Sequence, residues 1–319
     1  MIEYEVAGVS EAGPNREGNE DAMGWLLPED ADQRRRKGLL AALADGVGGH
    51  EAGEVASSTA VEALIKEYYS PSSHSRVEPA LRHAIQAANL RVHDLAHRTP
   101  SLRSMQTTLT AIVVAGTQAF VAHVGDTRAY QWRAGVLTQL TSDHSEVADL
   151  IRMRVIPPDR LREHPARNVL TRTVGHQLIL RPDFLRVDVE PGDVFLLCCD
   201  GLWAEIIEDE MTVILGSGSA DEISRALVDL AIERDCADNV SAQVIRVLGA
   251  SEDSAGSTGS ADSARAGWLA WRIPAHWSSV VHCTQRWALG SCLAERCRAL
   301  ERPDDAVRRR VACDTRLVS

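Results

Sequence analysis

The 319-residue chain contains no apolar run approaching the roughly 18 residues that a membrane-spanning helix needs. Its longest runs, at 39–44 and 194–199, are strand-length. The first nine residues carry Glu3 and Glu5 and no basic cluster, so a secretory leader is not expected and a cytoplasmic setting is. Lysine is nearly missing: only Lys37 and Lys66 occur, which reads as base composition of the gene rather than as chemistry. The net charge is −11, against nucleic acid as the main partner, because phosphate backbones demand basic patches. No His pair or Cys cluster before residue 249 has the spacing of a zinc site. There is no internal repeat.

What is present is an acidic body with a different kind of tail. Apolar residues make up 45% of the chain, enough for a sizeable core. Residues 250–319 hold 10 Arg and 8 acidic residues, which leaves 24 basic and 37 acidic residues, or −13, for residues 1–249. Four of the seven Trp and four of the seven Cys also lie in that tail. Between the two, residues 249–267 are mostly Ser, Gly, Ala and Asp, a composition that cannot bury enough apolar surface to order itself. The expected organisation is one domain over 1–248, a flexible linker over 249–267 and an extension of unknown role over 268–319.

Hydrophobic periodicity predicts strands at 4–10, 38–44, 108–115, 118–124, 128–133, 136–140, 181–189, 193–199 and 240–248. Helical spacing covers 54–69, 78–97, 209–215 and 221–233. The stretch 145–167 is polar and interrupted by proline, with room for short helices at best. Strands and helices come in blocks rather than in βαβ alternation, so antiparallel sheets flanked by helices are favoured over a Rossmann fold.

Acidic residues recur where apolar strands end. Asp45 follows one run and precedes Gly46; Asp126 follows Gly125; Asp200 precedes Gly201; Asp238 stands before Asn239; Glu20 and Asp21 follow Asn19. A single Asp-Gly is ordinarily a turn. Several carboxylates meeting at one spot repel each other unless cations lie between them, and oxygen-only ligands suit Mg²⁺ or Mn²⁺. On spacing alone, a two-metal carboxylate site and a set of ordinary turns stay equally open.

Taken in order, the segments resemble the motifs of the bacterial metal-dependent protein phosphatases, the type 2C Ser/Thr family. The carriers are Arg16-Glu17-Gly18-Asn19-Glu20-Asp21-Ala22, Ala44-Asp45-Gly46-Val47-Gly48-Gly49-His50, His123-Val124-Gly125-Asp126-Thr127-Arg128, Asp200-Gly201-Leu202-Trp203 and Asp238-Asn239-Val240-Ser241. The resemblance spans roughly residues 3–248 and does not reach the tail. It implies an α+β fold, a four-layer α-β-β-α sandwich of two antiparallel sheets, and hydrolysis of phosphoserine and phosphothreonine in proteins.

The resemblance also implies roles. Asp45 would bridge two catalytic Mn²⁺ or Mg²⁺ ions, and the Gly46 carbonyl would bind one of them. Asp200 and Asp238 would complete the first ion's shell, Glu20 would serve the second through a water, and Asp126 would hold a third, weaker ion. Arg16 would bind phosphate, its planar fork meeting two oxygens at once. Paired ions roughly 3.5–4 Å apart acidify a water that attacks phosphorus in line. No nucleophilic Cys is needed, and Cys198 and Cys199, pointing to opposite faces of a strand, read as core. Val47 stands where eukaryotic members carry a candidate acid His, so a metal-bound water is the first choice of proton donor and His50 the second. The stretch 141–168 corresponds to a flap, and Asn168 is a candidate oxygen donor to the third ion, against the plainer reading of a polar flap residue. Expected partners are phosphorylated proteins and an opposing Ser/Thr kinase, with no nucleic acid, no transmembrane segment and a monomeric chain. The rival is a regulatory pseudophosphatase, but a pseudoenzyme should have lost metal ligands, and all are present.

Overall fold

The computed structural model describes residues 2–47, 51–74, 76–162 and 164–250. His50, residues 251–267 of the expected linker and the extension 268–319 lie outside the described residues. The described strands form two antiparallel sheets. One runs in the order β1 (Ile2–Glu11), β11 (Val240–Ala250), β10 (Val194–Cys198), β7 (Arg128–Arg133), β8 (Val136–Gln139). The other runs β2 (Asp21–Leu26), β3 (Leu39–Val47), β5 (Leu109–Ala115), β6 (Gln118–Val124), β9 (Asp183–Asp188), with the short β4 (Gln106–Thr107) pairing the end of β3. The helices are α1 (Ala31–Lys37), α2 (Glu51–Tyr68), α3 (Val77–Arg98), α4 (Glu146–Arg152), α5 (Asp200–Trp203), α6 (Glu208–Leu215) and α7 (Ala220–Glu233).

The continuous apolar runs are strands that are dry on both faces. In β10, Phe195 and Leu197 pack between the sheets with Leu39, Leu43, Ile112 and Ile245. Val194, Leu196 and Cys198 point the other way, onto Leu202, Met211, Ile223 and Leu227 of α5–α7. Each such side chain contributes about 1.5–3 kcal/mol of burial. On the opposite flank, Gly24 of β2 lies directly beneath Val61 and Ile65, which seats α2 on the outer face of the second sheet, and α3 packs on α2. The result is the expected α-β-β-α order of layers. Cys198 faces the helices and Cys199 the space between the sheets, each buried.

Several local features differ from the sequence expectation. Strand β2 and helix α1 lack an apolar period. Helix α1 is held instead by its ends: Gln33 N–H donates to the Asp30 carboxylate at 2.7 Å, and Arg34, Arg35, Arg36 and Lys37 occupy the last turn, where the helix dipole favours cations. Strand β3 does not end before Asp45 but runs on to Val47, with Gly46 and Val47 opposite Thr107 and Gln106. Strand β11 continues to Ala250, two residues into the stretch read as linker, because its last residue is still opposite Ile2 of β1.

Candidate active site

The acidic segments end at one edge of the two sheets. Asp21 opens β2 opposite Asp45 of β3. Residues 125–127 carry the chain from β6 in one sheet to β7 in the other, which puts Asp126 on the crossing. Cys198, the last residue of β10, pairs with Arg128 and Ala242, so Asp200 (at the start of α5), Asp126 and Asp238 share that edge.

Backbone and side-chain hydrogen bonds hold these residues before any ligand is considered. Asn239 ties the Arg16–Glu20 loop to β11: its side-chain N–H groups donate to Ala12 O and Gly18 O, both at 2.8 Å, and its oxygen accepts from Glu20 N–H at 2.9 Å. The Glu20 carbonyl accepts from Ser57 Oγ (2.6 Å) and from Gly46 N–H (3.1 Å). Asp45 N–H donates to Thr108 Oγ1 at 2.8 Å, and its carbonyl accepts from Thr107 Oγ1 at 2.7 Å. Trp203 Nε1 donates to the Asp126 carbonyl at 2.9 Å. Two glycines are required by contact: a Cβ on Gly46 would strike Gly53 O, and one on Gly53 would strike the Glu20 carboxylate.

The electrostatics are those of crowded carboxylates. Burial first, then Asp21, Asp200, Asp126 and Asp238, pushes Asp45 well above the usual carboxylate range. Asp126 is raised for the same reasons, by burial and then Asp200 and Asp143. Burial raises Asp21 to about 7, although hydrogen bonds from Ser241 and Cys199 pull it down. Asp200 rises to about 6 through burial and Asp238, and it lies within hydrogen-bonding reach of Asp45. Asp126 is buried, while Asp21, Asp45 and Asp200 remain partly open as wholes, yet Asp21 Oδ1 and Asp200 Oδ1 are shielded from solvent and have no hydrogen-bond partner. A shielded carboxylate oxygen without a donor is costly unless a proton or cation meets it.

The donor set therefore fits hard divalent cations. Among the described residues no three His, Cys, Asp or Glu side chains close into a ready-made cage. An ion here would keep several waters, as Mg²⁺ does when one or two carboxylates hold it. Beside the carboxylates lies a cleft of about 160 Å³ lined by Arg16, Arg167, Asn168, Asp200, Trp203 and Asp238. Arg16 Nη2 donates to Asp238 Oδ2 at 2.6 Å. Burial alone would lower the Arg16 pKa; Asp238, then Glu20 and Asp200, outweigh it and raise it. Asn168 reaches the cleft, where its oxygen accepts from Arg167 Nε at 3.2 Å.

Residues 16–229 match the family model described as protein phosphatase 2C. The chain belongs to the protein phosphatase 2C family. It is 36% identical over 214 residues to a protein phosphatase 2C-type protein of Streptococcus pyogenes, covering 66% of this chain and 87% of that one. It is 37% identical over 211 residues to the serine/threonine phosphatase stp of Listeria monocytogenes, covering 65% and 81%. Among solved structures, the catalytic domain of PstP in complex with two manganese ions is similar, with a TM-score of 0.68, 31% identity, and 78% of this chain and all of that one covered.

Within this protein phosphatase 2C chain, Asp238 and Asn239 lie beyond the matched stretch, so their place in the site rests on the geometry above. The structure brings Arg16, Glu20, Asp45, Gly46, Asp126, Asp200, Asp238 and Asn168 to one edge; His50 is outside the described residues. Sequence reasoning gave no role to Asn239, Thr108, Ser57 or Asp21. The run of four quoted motif residues from Asp238 to Ser241 was the signal for the first. Ser241 Oγ donates to Asp21 Oδ2 at 2.6 Å, a link that only strand register reveals.

Proposed function

We propose that the chain is a metal-dependent protein serine/threonine phosphatase whose centre is the carboxylate edge of the two sheets. Asp45, Asp200, Asp238, Glu20 and the Gly46 carbonyl would hold two Mn²⁺ or Mg²⁺ ions, and Asp126 a third. When bound, the ions supply the charge that acidifies the attacking water and neutralises the phosphate oxygens. The observation that carries this reading is the shielded, unpartnered oxygen of Asp200 in a cleft that also presents Arg16, with a second such oxygen on Asp21, opposite Asp45.

The chain's own groups do the rest. Arg16 stands at the cleft with a side-chain exposure of 44%, and Asp238 engages it through Nη2, leaving in-plane N–H donors of the fork for two phosphate oxygens. Asn239 holds the Arg16 loop in place. Thr107, Thr108 and Trp203 fix the backbones of Asp45 and Asp126, so the carboxylates do not reorganise as charge develops. Val47 has no proton to give the leaving oxygen, so in this reading water in the cleft is the first choice of donor and His50 the second.

Phosphorylated proteins are the substrates in this reading, and a bacterial Ser/Thr kinase supplies them. The phosphatase domain is the body that ends with β11, and the chain beyond is an appended segment. The enzyme works as a monomer in the cytoplasm; no described helix is long and apolar enough to cross a membrane. The test is hydrolysis of p-nitrophenyl phosphate and of a phosphothreonine peptide by the purified chain. Both activities are expected with Mn²⁺ and neither with EDTA; full activity in EDTA overturns the reading.

A further inference from the structure

His144 grips one residue, Gly125, from two sides. Its backbone N–H donates to Gly125 O at 2.7 Å, and its ring Nδ1 accepts from Gly125 N–H at 3.1 Å. Gly125 is the first residue of the crossing that carries Asp126. It has φ +110, and a Cβ there would strike Thr108, so the turn has little freedom except the freedom His144 removes. The far ring nitrogen, Nε2, lies 3.2 Å from Asp183 Oδ2 at the start of β9, and Arg172 Nη1 donates to the other Asp183 oxygen at 2.9 Å. Arg172 Nη1 also lies 3.1 Å from Nε2.

These partners decide the ring's tautomer. A backbone N–H and a guanidinium can only donate, and a carboxylate only accepts. Placing the proton on Nε2 satisfies both Gly125 and Asp183, and Arg172 then shares Asp183 with the ring. Placing it on Nδ1 satisfies Arg172 alone and sets two N–H groups against each other at Gly125. The ring is buried and lies against His123, with centroids 4.8 Å apart, so it cannot swing away. The neighbouring residue holds the same turn from its other end. Asp143 takes Arg128 through two hydrogen bonds, at 3.0 and 2.7 Å. The Arg128 guanidinium lies 3.7 Å over the Trp203 ring, whose N–H holds the Asp126 carbonyl.

We infer that His144, oriented by Asp183, is a positioning residue for Asp126, and that the third, weaker cation site depends on this Asp183–His144–Gly125 relay. The inference rests on the assignment of Asp126 to that cation. His144 also closes the root of the flap, since its carbonyl accepts from Thr171 N–H at 2.8 Å and Ser145 pairs with Leu170. One residue thereby joins the flap's two ends to the turn of a metal ligand. Outer partners of metal ligands act by fixing orientation in this way.

The test is calorimetric titration of the EDTA-stripped full chain with Mn²⁺, beside Asp126→Ala, Asp183→Ala, His144→Ala and His144→Asn. Asp126→Ala is expected to remove the weaker site. Asp183→Ala and His144→Ala are expected to weaken that site roughly 10- to 100-fold and to leave the two tighter ones unchanged. His144→Asn, whose side-chain oxygen can still accept from Gly125 N–H, is expected to recover much of the loss. Asp183 is 52% exposed, so its alanine variant keeps the test alive should His144→Ala not fold. Nitrogen NMR of the His144 ring is expected to show Nδ1 unprotonated, and a mixture of tautomers in Asp183→Ala. A weaker site unchanged in Asp183→Ala but lost in Asp126→Ala overturns the relay and leaves the metal assignment standing, as does equal loss at all sites. A weaker site missing from the unmodified chain, or surviving Asp126→Ala, overturns the assignment of Asp126 and the relay with it.

Discussion

Asp21 and Asp45 stand directly opposite each other on the antiparallel strands β2 and β3. Like charges in that position destabilise a sheet, and here burial raises both residues, Asp21 to about 7. Their unfolded values are about 4. Between those limits the folded chain binds more protons than the unfolded one, so the derivative of unfolding free energy with pH is negative. Asp200, raised to about 6, adds to the effect in the same direction. In EDTA the melting temperature is therefore expected to fall as pH rises from 5 towards 7, and Mn²⁺ is expected to flatten that slope. Asp21→Asn should flatten it without metal. A melting temperature that climbs over this range in EDTA contradicts the crowded-carboxylate description.

Asn239 makes three hydrogen bonds to the 12–20 loop. Asn239→Ala leaves Glu20 N–H, Ala12 O and Gly18 O without those partners, at about 1–3 kcal/mol for each group that water cannot reach. A domain of this size loses roughly 2–4 °C per kcal/mol. Thermal melts should show that loss, and KM for a phosphopeptide should rise because the Arg16 loop is released. Unchanged values for both would show that the loop holds itself.

Gly53 lies within α2, where Ala would raise helix propensity by about 1 kcal/mol. Its added Cβ would nonetheless displace the Glu20 carboxylate. Gly53→Ala is expected to keep the fold and lower Mn²⁺ affinity, as read by calorimetry. A variant that binds Mn²⁺ as tightly as the unmodified chain would remove Glu20 from the metal site.

Arg16→Lys retains the charge but not the planar fork. Steady-state kinetics should show a raised KM for phosphopeptides, with Mn²⁺ affinity little changed. A loss confined to kcat would place Arg16 outside ground-state phosphate binding.

Much of this was legible in the sequence because strands buried on both faces write themselves as unbroken apolar runs, as at 39–44 and 194–199. Helix α7 was equally plain from its period, and its Ser219–Glu222 capping box marks its start. The carboxylates were legible as motifs. Their convergence was not, because it depends on register: nothing local says that Asp21 faces Asp45 or that Ser241 reaches Asp21. Strand β2 was invisible since Gly24 replaces a core side chain to admit α2. Helix α1 was invisible since caps and dipole, not an apolar face, sustain it. The grip of His144 on Gly125 joins residues 19 apart in two separate loops, and no periodicity encodes it.

The central claim is that Asp45 joins the metal ions to the chemistry. Phosphate release from a phosphothreonine peptide, measured at saturating Mn²⁺ for the unmodified chain and for Asp45→Asn, tests it most directly. Asp45→Asn is expected to fold, to melt no lower than the unmodified chain in EDTA because one of the crowded carboxyl groups is gone, and to release no phosphate above the rate without enzyme. A folded Asp45→Asn protein that turns over at the unmodified rate would contradict it.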